Sequence, residues 1–498
     1  MSAEQIGRIV VVEATEPTPE ETLYPRVAGA LLGGAIADAL GWPTEFAKSP
    51  DDLARMGLNY PIRDFVPWPK RTGGRFFTRI DNIQPGDYSD DTQLSLCVVR
   101  SLDAHGSVDN EYFAKAELKF WLDYARGAGA TVTAAAKSAA RIRSDWRWNF
   151  FTYTRGRRAL DYREAGANGA AMRISPIALA NLHDPVHLVE EVWRNAIVTH
   201  GHPRAILGAL VYGEALRRLT LGDNQSADEY IADLRSFVEG LDPTLNNPDL
   251  TYWRSRWKES GVSFEARWPE YVAEMTGMLE TALTSRSGDL RATYQRLGAF
   301  EPATKGSGTA SVAAALAVFL RHGRNFERLI LEAANMLGSD TDTIGAMAGS
   351  LAGGFLGYTE IPERWATIMA DYTYLNRSAE FLTLVALRRA VSNPLRLDGF
   401  RAPPGGEGSL LAALTKQQVV ERHRYWHPLF GLGWATKVES QEIGRPRVKG
   451  RVIMATVQFD IGQTCKFSSY SGIAGIRKAG DVPRRCPAKG RDQIGLDL

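Results

Sequence analysis

Two short segments carry more acid than their surroundings can hydrate. "YSDDTQLSLCVV" sets Asp90 and Asp91 between the hydroxyls of Ser89 and Thr92, at the head of an apolar run. "GSDTDTIGAMAGSLAGGFLG" alternates Asp340 and Asp342 with Thr341 and Thr343, directly ahead of a run of small residues. Either cluster alone also reads as a helix start, because hydroxyls and carboxylates cap free N–H groups and favour the positive end of the helix dipole. Glycine and alanine around the second cluster leave little surface for solvated charge, and unpaired buried carboxylates are costly unless a cation neutralises them. The donors are hard oxygens without imidazole or thiolate, which suits Mg²⁺, Mn²⁺ or Ca²⁺ and disfavours zinc. Four carboxylates exceed the need of one divalent ion and suit two ions sharing bridging groups.

Helices are the elements available to position these groups. From Tyr24 to about Asn393 the apolar residues recur at helical spacing, as in "NEYFAKAELKFWLDYA" and "FERLILEAANML". "DPVHLVEEVWRNAIVTH" and "HPRAILGALVYGEALRRL" place Pro near the helix start, where its missing N–H does no harm. No convincing strand alternation interrupts this region. The small-residue stretches "GALLGGAIADAL" and "IGAMAGSLAGGFLG" predict close helix–helix approach at the centre. Two non-helical inserts, "WPKRTGGRFFTRIDNIQPGDY" and "SDWRWNFFTYTRGRRALDYREAGANG", border the chemistry-bearing segments, and loops of that length usually line a site. The expected organisation is an N-terminal extension over 1–23 with one short strand, "RIVVVE", and one large all-α domain over 24–393. A Pro/Gly linker follows over 394–409, then a C-terminal extension of mixed or irregular structure over 410–498. That extension should hold one helix, "LLAALTKQQVVERHRYW", one strand, "GRVIMATVQFD", and a basic, disordered end.

The whole chain excludes several classes. Its 498 residues, 44% hydrophobic and 23% charged, support a large core, and a net charge of +2 gives no general reason to expect nucleic acid or a membrane surface as partner. The 3 cysteines build no disulfide framework and no zinc site, and Cys97 reads as a small core residue. The N-terminus lacks the basic, apolar pattern of a secretory signal, and no stretch is long enough to span a bilayer. A cytoplasmic protein is expected.

Five motifs, "GALLGGAIADALGWPTEF", "PGDYSDDTQLSL", "NGAAMRISPIAL", "VTHGHPRAILGAL" and "GSDTDTIGAMAGSLAGG", stand in an order that resembles the ADP-ribosylglycohydrolase family, related to the dinitrogenase reductase-activating glycohydrolases. The resemblance covers roughly residues 25–390. It implies an all-α fold around a central cleft with two Mg²⁺ ions, Mn²⁺ being the alternative. It implies Ser89, Asp90, Asp91, Asp340, Asp342 and Thr343 as metal ligands, Ser89 standing where the family usually has Thr. It implies Glu45 as the catalytic or metal-associated acid. Asn168, Gly169, Met172, Arg173 and His200 then fall where the family wraps ADP-ribose, Asn168 and Gly169 letting backbone approach the diphosphate. His202 has no such match. Gly166 and Ala167 replace an aromatic that some members carry, so stacking would have to come from Phe150, Phe151 or Tyr153.

The implied reaction is cleavage at the anomeric carbon of ADP-ribose through an oxocarbenium-like transition state. The metals would hold the ribose hydroxyls and acidify a water, and Glu45 would shuttle the proton. The expected substrate is an ADP-ribosylated macromolecule, most simply a protein. One expected setting is immunity against an ADP-ribosylating toxin, with the extensions available for a toxin partner. Alternatives are hydrolysis of small ADP-ribose conjugates and a non-catalytic binding or structural protein on the same scaffold.

Overall fold

The computed structural model describes residues 18–72, 78–141, 143–155, 158–222, 224–258, 261–397, 408–445 and 448–471. The "RIVVVE" segment and the basic end of the chain lie outside them. Two helices, Pro19–Gly41 and Thr341–Leu356, run antiparallel through the centre. Their glycines face one another at every turn. A Cβ added to Gly353 would stand 1.9 Å from Gly29 O, and one added to Gly33 would stand 2.5 Å from Gly349 O. Only hydrogen fits between these backbones, so the axes approach more closely than ordinary side chains allow. The pairing ends where Thr341 Oγ1 donates to Gly41 O at 2.9 Å, a contact spanning 300 positions. The last turn of the first helix and the first turn of the second therefore share one end of the molecule.

The first helix starts at Pro19, ahead of the position the apolar pattern suggests, because Thr18 and Glu21 cap it reciprocally. The helices Asp90–Ser101, Pro203–Leu221, Gly308–His322 and Tyr372–Ala386 pack around the central pair. Their buried faces join one hydrophobic core that includes Trp42, Trp121, Trp193, Trp253 and Trp365.

The two inserts contain hairpins that the sequence reading did not anticipate: β1 (Trp68–Thr72) with β2 (Arg79–Ile83), and β3 (Thr152–Arg155) with β4 (Arg158–Asp161). The C-terminal extension also departs from expectation. Its helix spans only Leu410–Lys416 and stops at Gln417, whose φ of 55° is left-handed. The single expected strand becomes an antiparallel sheet of β5 (Arg424–His427), β6 (Gly431–Arg445), β7 (Val448–Phe459) and β8 (Thr464–Ser471), in that order. Phe430, Phe459 and Phe467 carry the helical core into this sheet through Tyr124 and His427. The fully buried Arg100–Glu117 ion pair lies at the same junction, where Arg100 also donates to Gln463 at 2.6 Å.

Candidate active site

Because the central helices meet at one end, residues from both termini of the helical region converge there. Asp38, one turn before the end of the first helix, accepts from Thr92 Oγ1 at 2.6 Å and from the backbone N–H groups of Ser89 and Thr92. It thus caps the Asp90–Ser101 helix from outside, which fixes the position of Asp90 and Asp91. Ser89 caps the same helix, accepting from Asp91 N at 3.2 Å and donating to Asp91 Oδ2 at 3.0 Å. After the first helix, Thr44 Oγ1 bonds to Gly41 O and Ala334 O, and this pins the turn that presents Glu45.

Carboxylate oxygens of Asp38, Asp91 and Asp342 lie within 4.8 Å of one another, and so do those of Glu45, Asp340 and Asp342. Glu45, Asp90, Asp91, Asp340 and Asp342 line a cleft of about 280 Å³, and Asp38 is fully buried outside its lining. Burial pushes the Glu45 carboxyl up to about 8, with Asp340 adding to it, and Asp90 up to about 7. Asp38, Asp91 and Asp342 shift in the same direction, desolvation first. Asp91 Oδ1 and Glu45 Oε2 are buried without a hydrogen-bond partner. An all-oxygen set of anionic donors with orphaned atoms fits a hard divalent cation, which would supply the missing neutralisation.

The opposite wall is the Asn168 segment. Asn168 N donates to Gly306 O at 2.8 Å, and Asn168 Nδ2 reaches Asp340 Oδ2 at 2.6 Å. Gly169 has no room for a side chain, since a Cβ there would stand 2.9 Å from both His200 Cε1 and Val132 Cγ2. His200 lines the cleft with Nε2 unpartnered, while Thr199 Oγ1 holds its Nδ1 at 2.7 Å. Burial and the nearby Arg173 push this imidazole well down, so it is neutral. Met172, Thr343 and Tyr153 also line the cleft.

Arg173 does not face the cleft. It is fully buried and donates to Asn195 Oδ1 at 2.9 Å and to Gly169 O, so it supports the Asn168–Gly169 turn from behind. Phe150 and Phe151 pack against Tyr162, leaving Tyr153 as the cleft aromatic of the three. His202 caps the Pro203–Leu221 helix and contacts Arg267 and Tyr271.

Three site residues escaped the sequence reading. Asp38 is a lone acid within "GALLGGAIADAL", and its signal was a charge on an otherwise apolar helix. Lys305 lines the cleft and donates to Glu45 O at 3.4 Å. Lys70, on β1, is 8% exposed, and its Nζ lies 4.2 Å above the Trp42 ring.

The ADP-ribosylglycohydrolase family profile matches residues 19–393, which spans both central helices and every acid of the cleft. The chain belongs to the ADP-ribosylglycohydrolase family. Members of that family hydrolyse ADP-ribose linkages, and this chain is such a hydrolase. It is 26% identical over 347 residues to the ADP-ribosyl-[dinitrogen reductase] glycohydrolase of Rhodospirillum rubrum, covering 69% of this chain and 90% of the relative. It is 24% identical over 361 residues to the ADP-ribosylhydrolase ARH3 of Homo sapiens, covering 70% and 90%. It is 24% identical over 376 residues to the ADP-ribosylarginine hydrolase Tri1 of Serratia proteamaculans, covering 74% and 81%. The sheet β5–β8 lies beyond the matched residues and is an addition to the family domain.

Proposed function

We propose that this ADP-ribosylglycohydrolase removes ADP-ribose from a modified protein, in a reaction that depends on divalent metal. The observation that carries the reading is the convergence of Glu45, Asp91, Asp340 and Asp342 on one cleft, with buried Asp38 joining Asp91 and Asp342. Asp90, Asp91, Asp340 and Asp342, assisted by Ser89 and Thr343, would hold two Mg²⁺ or Mn²⁺ ions, with Asp38 a further donor. Bound there, the ions would neutralise the carboxylates and act as Lewis acids toward the ribose hydroxyls.

The chain's own groups account for the rest. Gly169, kept bare of a side chain, lets the diphosphate approach backbone N–H groups. Neutral His200 offers Nε2 to the same ligand without adding charge. The Glu45 carboxyl, at the edge of the acid cluster, would deliver a proton to the departing acceptor atom. The carboxylate so formed takes a proton from the attacking water, which restores Glu45 and leaves free ADP-ribose and the unmodified acceptor.

The names of the relatives point to protein-linked ADP-ribose, dinitrogen reductase in one case and modified arginine in another. The decisive assay offers ADP-ribosyl-arginine and ADP-ribosyl-serine peptides separately, with Mg²⁺ and after exhaustive chelation. Release of ADP-ribose from at least one peptide only with metal is expected, and full turnover without metal removes the metal-dependent reading. Immunity against a toxin is one use of this chemistry in the cytoplasm. Co-expression with a protein-ADP-ribosylating toxin tests it, with rescue of growth as the expected result.

A further inference from the structure

The β1–β2 hairpin joins two regions that the family reading treats separately. It is fixed to the C-terminal sheet. Arg79 donates to Tyr470 OH and, at 3.1 Å, to Ser468 Oγ on β8. Ile80 and the Gln441 amide on β6 exchange two hydrogen bonds, Gln441 Nε2 to Ile80 O at 2.8 Å and Ile80 N to Gln441 Oε1 at 3.3 Å. Asp81 is buried in an ion pair with Lys466 of β8, and Glu439 of β6 stands 3.6 Å from the same ammonium.

The same buried face of the hairpin carries Lys70, which lies directly opposite Asp81 in the strand register. The Lys70 ammonium sits among Trp42, Phe46 and Trp68, at 4.2, 5.4 and 5.8 Å from their rings. It has no hydrogen-bond partner. Nζ and Asp90 Oδ1 flank the space that a Gly127 Cβ would fill, at 3.5 and 2.8 Å from it. Desolvation pushes this ammonium down, while Glu45, Asp90, Asp342 and Asp81 hold it up, in that order. The cation is thus caged by aromatic faces, which attract it without neutralising it, and is aimed at acids of the cleft.

We propose that Lys70 is a positioning residue of the acidic cleft, a fixed cation that competes with divalent metal for Asp90, and that the appended sheet is the brace that holds it there. The inference rests on the metal-dependent reading above. A fixed unit positive charge beside a carboxylate that would hold a divalent ion raises that ion's energy, and in a partly buried site this amounts to an order of magnitude in affinity or more. Removing the charge must therefore tighten metal binding, the opposite of what loosening a scaffold does. The C-terminal sheet then acts on the chemistry although none of its described residues lines the acidic cleft.

Titration of Mn²⁺ into the full chain, followed by calorimetry and by the spin-resonance signal of free Mn²⁺, tests this. Lys70→Met, which fills the aromatic cage without charge, should bind Mn²⁺ about tenfold more tightly. Lys70→Arg, which keeps the charge, should stay within about threefold of the parent. Unchanged or weaker Mn²⁺ binding by Lys70→Met overturns the proposal. Lys466→Met, or the milder Gln441→Ala should the former not fold, should tighten binding by a smaller factor and add nothing on top of Lys70→Met. A full additive effect would remove the brace while leaving the cation in place. A parent chain that binds no Mn²⁺ overturns both this inference and the metal-dependent function. A parent that binds it while Lys70→Met shows the same affinity overturns this inference alone.

Discussion

Asp342 belongs to both carboxylate groups of the cleft, which makes it the residue where charge and shape can be separated most sharply. Asp342→Asn keeps the volume, so the helical core should persist by circular dichroism while ADP-ribose release falls roughly 100-fold or more, as loss of a ligand demands. In chelator the variant should melt no lower than the parent, because one of several crowded carboxyls has gone. Were Asp342 only a helix-start charge, activity would survive and stability would drop by a few tenths of a kcal/mol. Glu45→Gln is the companion. Calorimetry should find ADP-ribose binding largely retained, and the release assay should show turnover down by about 10²–10⁴. Wild-type turnover would take Glu45 out of the mechanism. The paired acids Asp90, Asp91, Asp340 and Asp342 were legible in the sequence because each cluster is dense and borders an apolar helix. Asp38, Lys70 and Lys305 were not, because each is a solitary charge whose meaning comes only from what tertiary packing sets against it. Arg173 was assigned to the ligand by its motif, yet the demand of a buried guanidinium for acceptors turned it toward Asn195.

At the scale of elements, the contact between the central helices is where sequence and site are most tightly coupled. Gly353→Ala would drive a Cβ to 1.9 Å from a backbone oxygen that has no rotamer to escape by. We expect a loss of roughly 3 kcal/mol in urea unfolding. Metal-dependent activity should fall in samples that are still folded, because separating the helices separates Asp38 and Glu45 from Asp342. Unaltered stability would mean that the helices sit farther apart than described. The small-residue stretches "GALLGGAIADAL" and "IGAMAGSLAGGFLG" announced this contact in the sequence. The strands hid for physical reasons. β6 breaks its own alternation with a bulge between Ala435 and Lys437. It also spends Gln441 on the hairpin and Glu439 on Lys466 of β8, so no apolar period of two survives. The Leu410–Lys416 helix was read too long because nothing in "TKQQVV" other than the backbone of Gln417 stops it.

For the molecule as a whole, the appended sheet makes stability sensitive to acid. His427 lies among Phe120, Phe430, Phe459 and Phe467, and burial pushes its imidazole down to about 3. The native state keeps it neutral while the unfolded chain protonates near 6.5, so the unfolded state binds more protons between those values and stability falls as pH drops through them. The contribution is about 1.4 kcal/mol per pH unit below 6.5. Urea melts at pH 7, 6 and 5 should show His427→Phe losing less per unit than the parent by about that amount. Parallel pH profiles would show that His427 is protonated in the fold. The all-α body was readable from helical periodicity, whereas its union with the sheet was not, since that union depends on Arg100, Tyr124 and Gln463 meeting across hundreds of positions. The 300-position reach between Gly41 and Thr341 also has a meaning in time. On a ribosome, the glycine-lined first helix emerges long before its only close-fitting mate, and the sheet that braces Lys70 comes later still. A polypeptide that stops short of the Thr341–Leu356 helix cannot join the two halves of the cleft, so no product truncated there should bear activity, and the nascent first helix is a surface for chaperones to shield until residue 356 has cleared the exit tunnel.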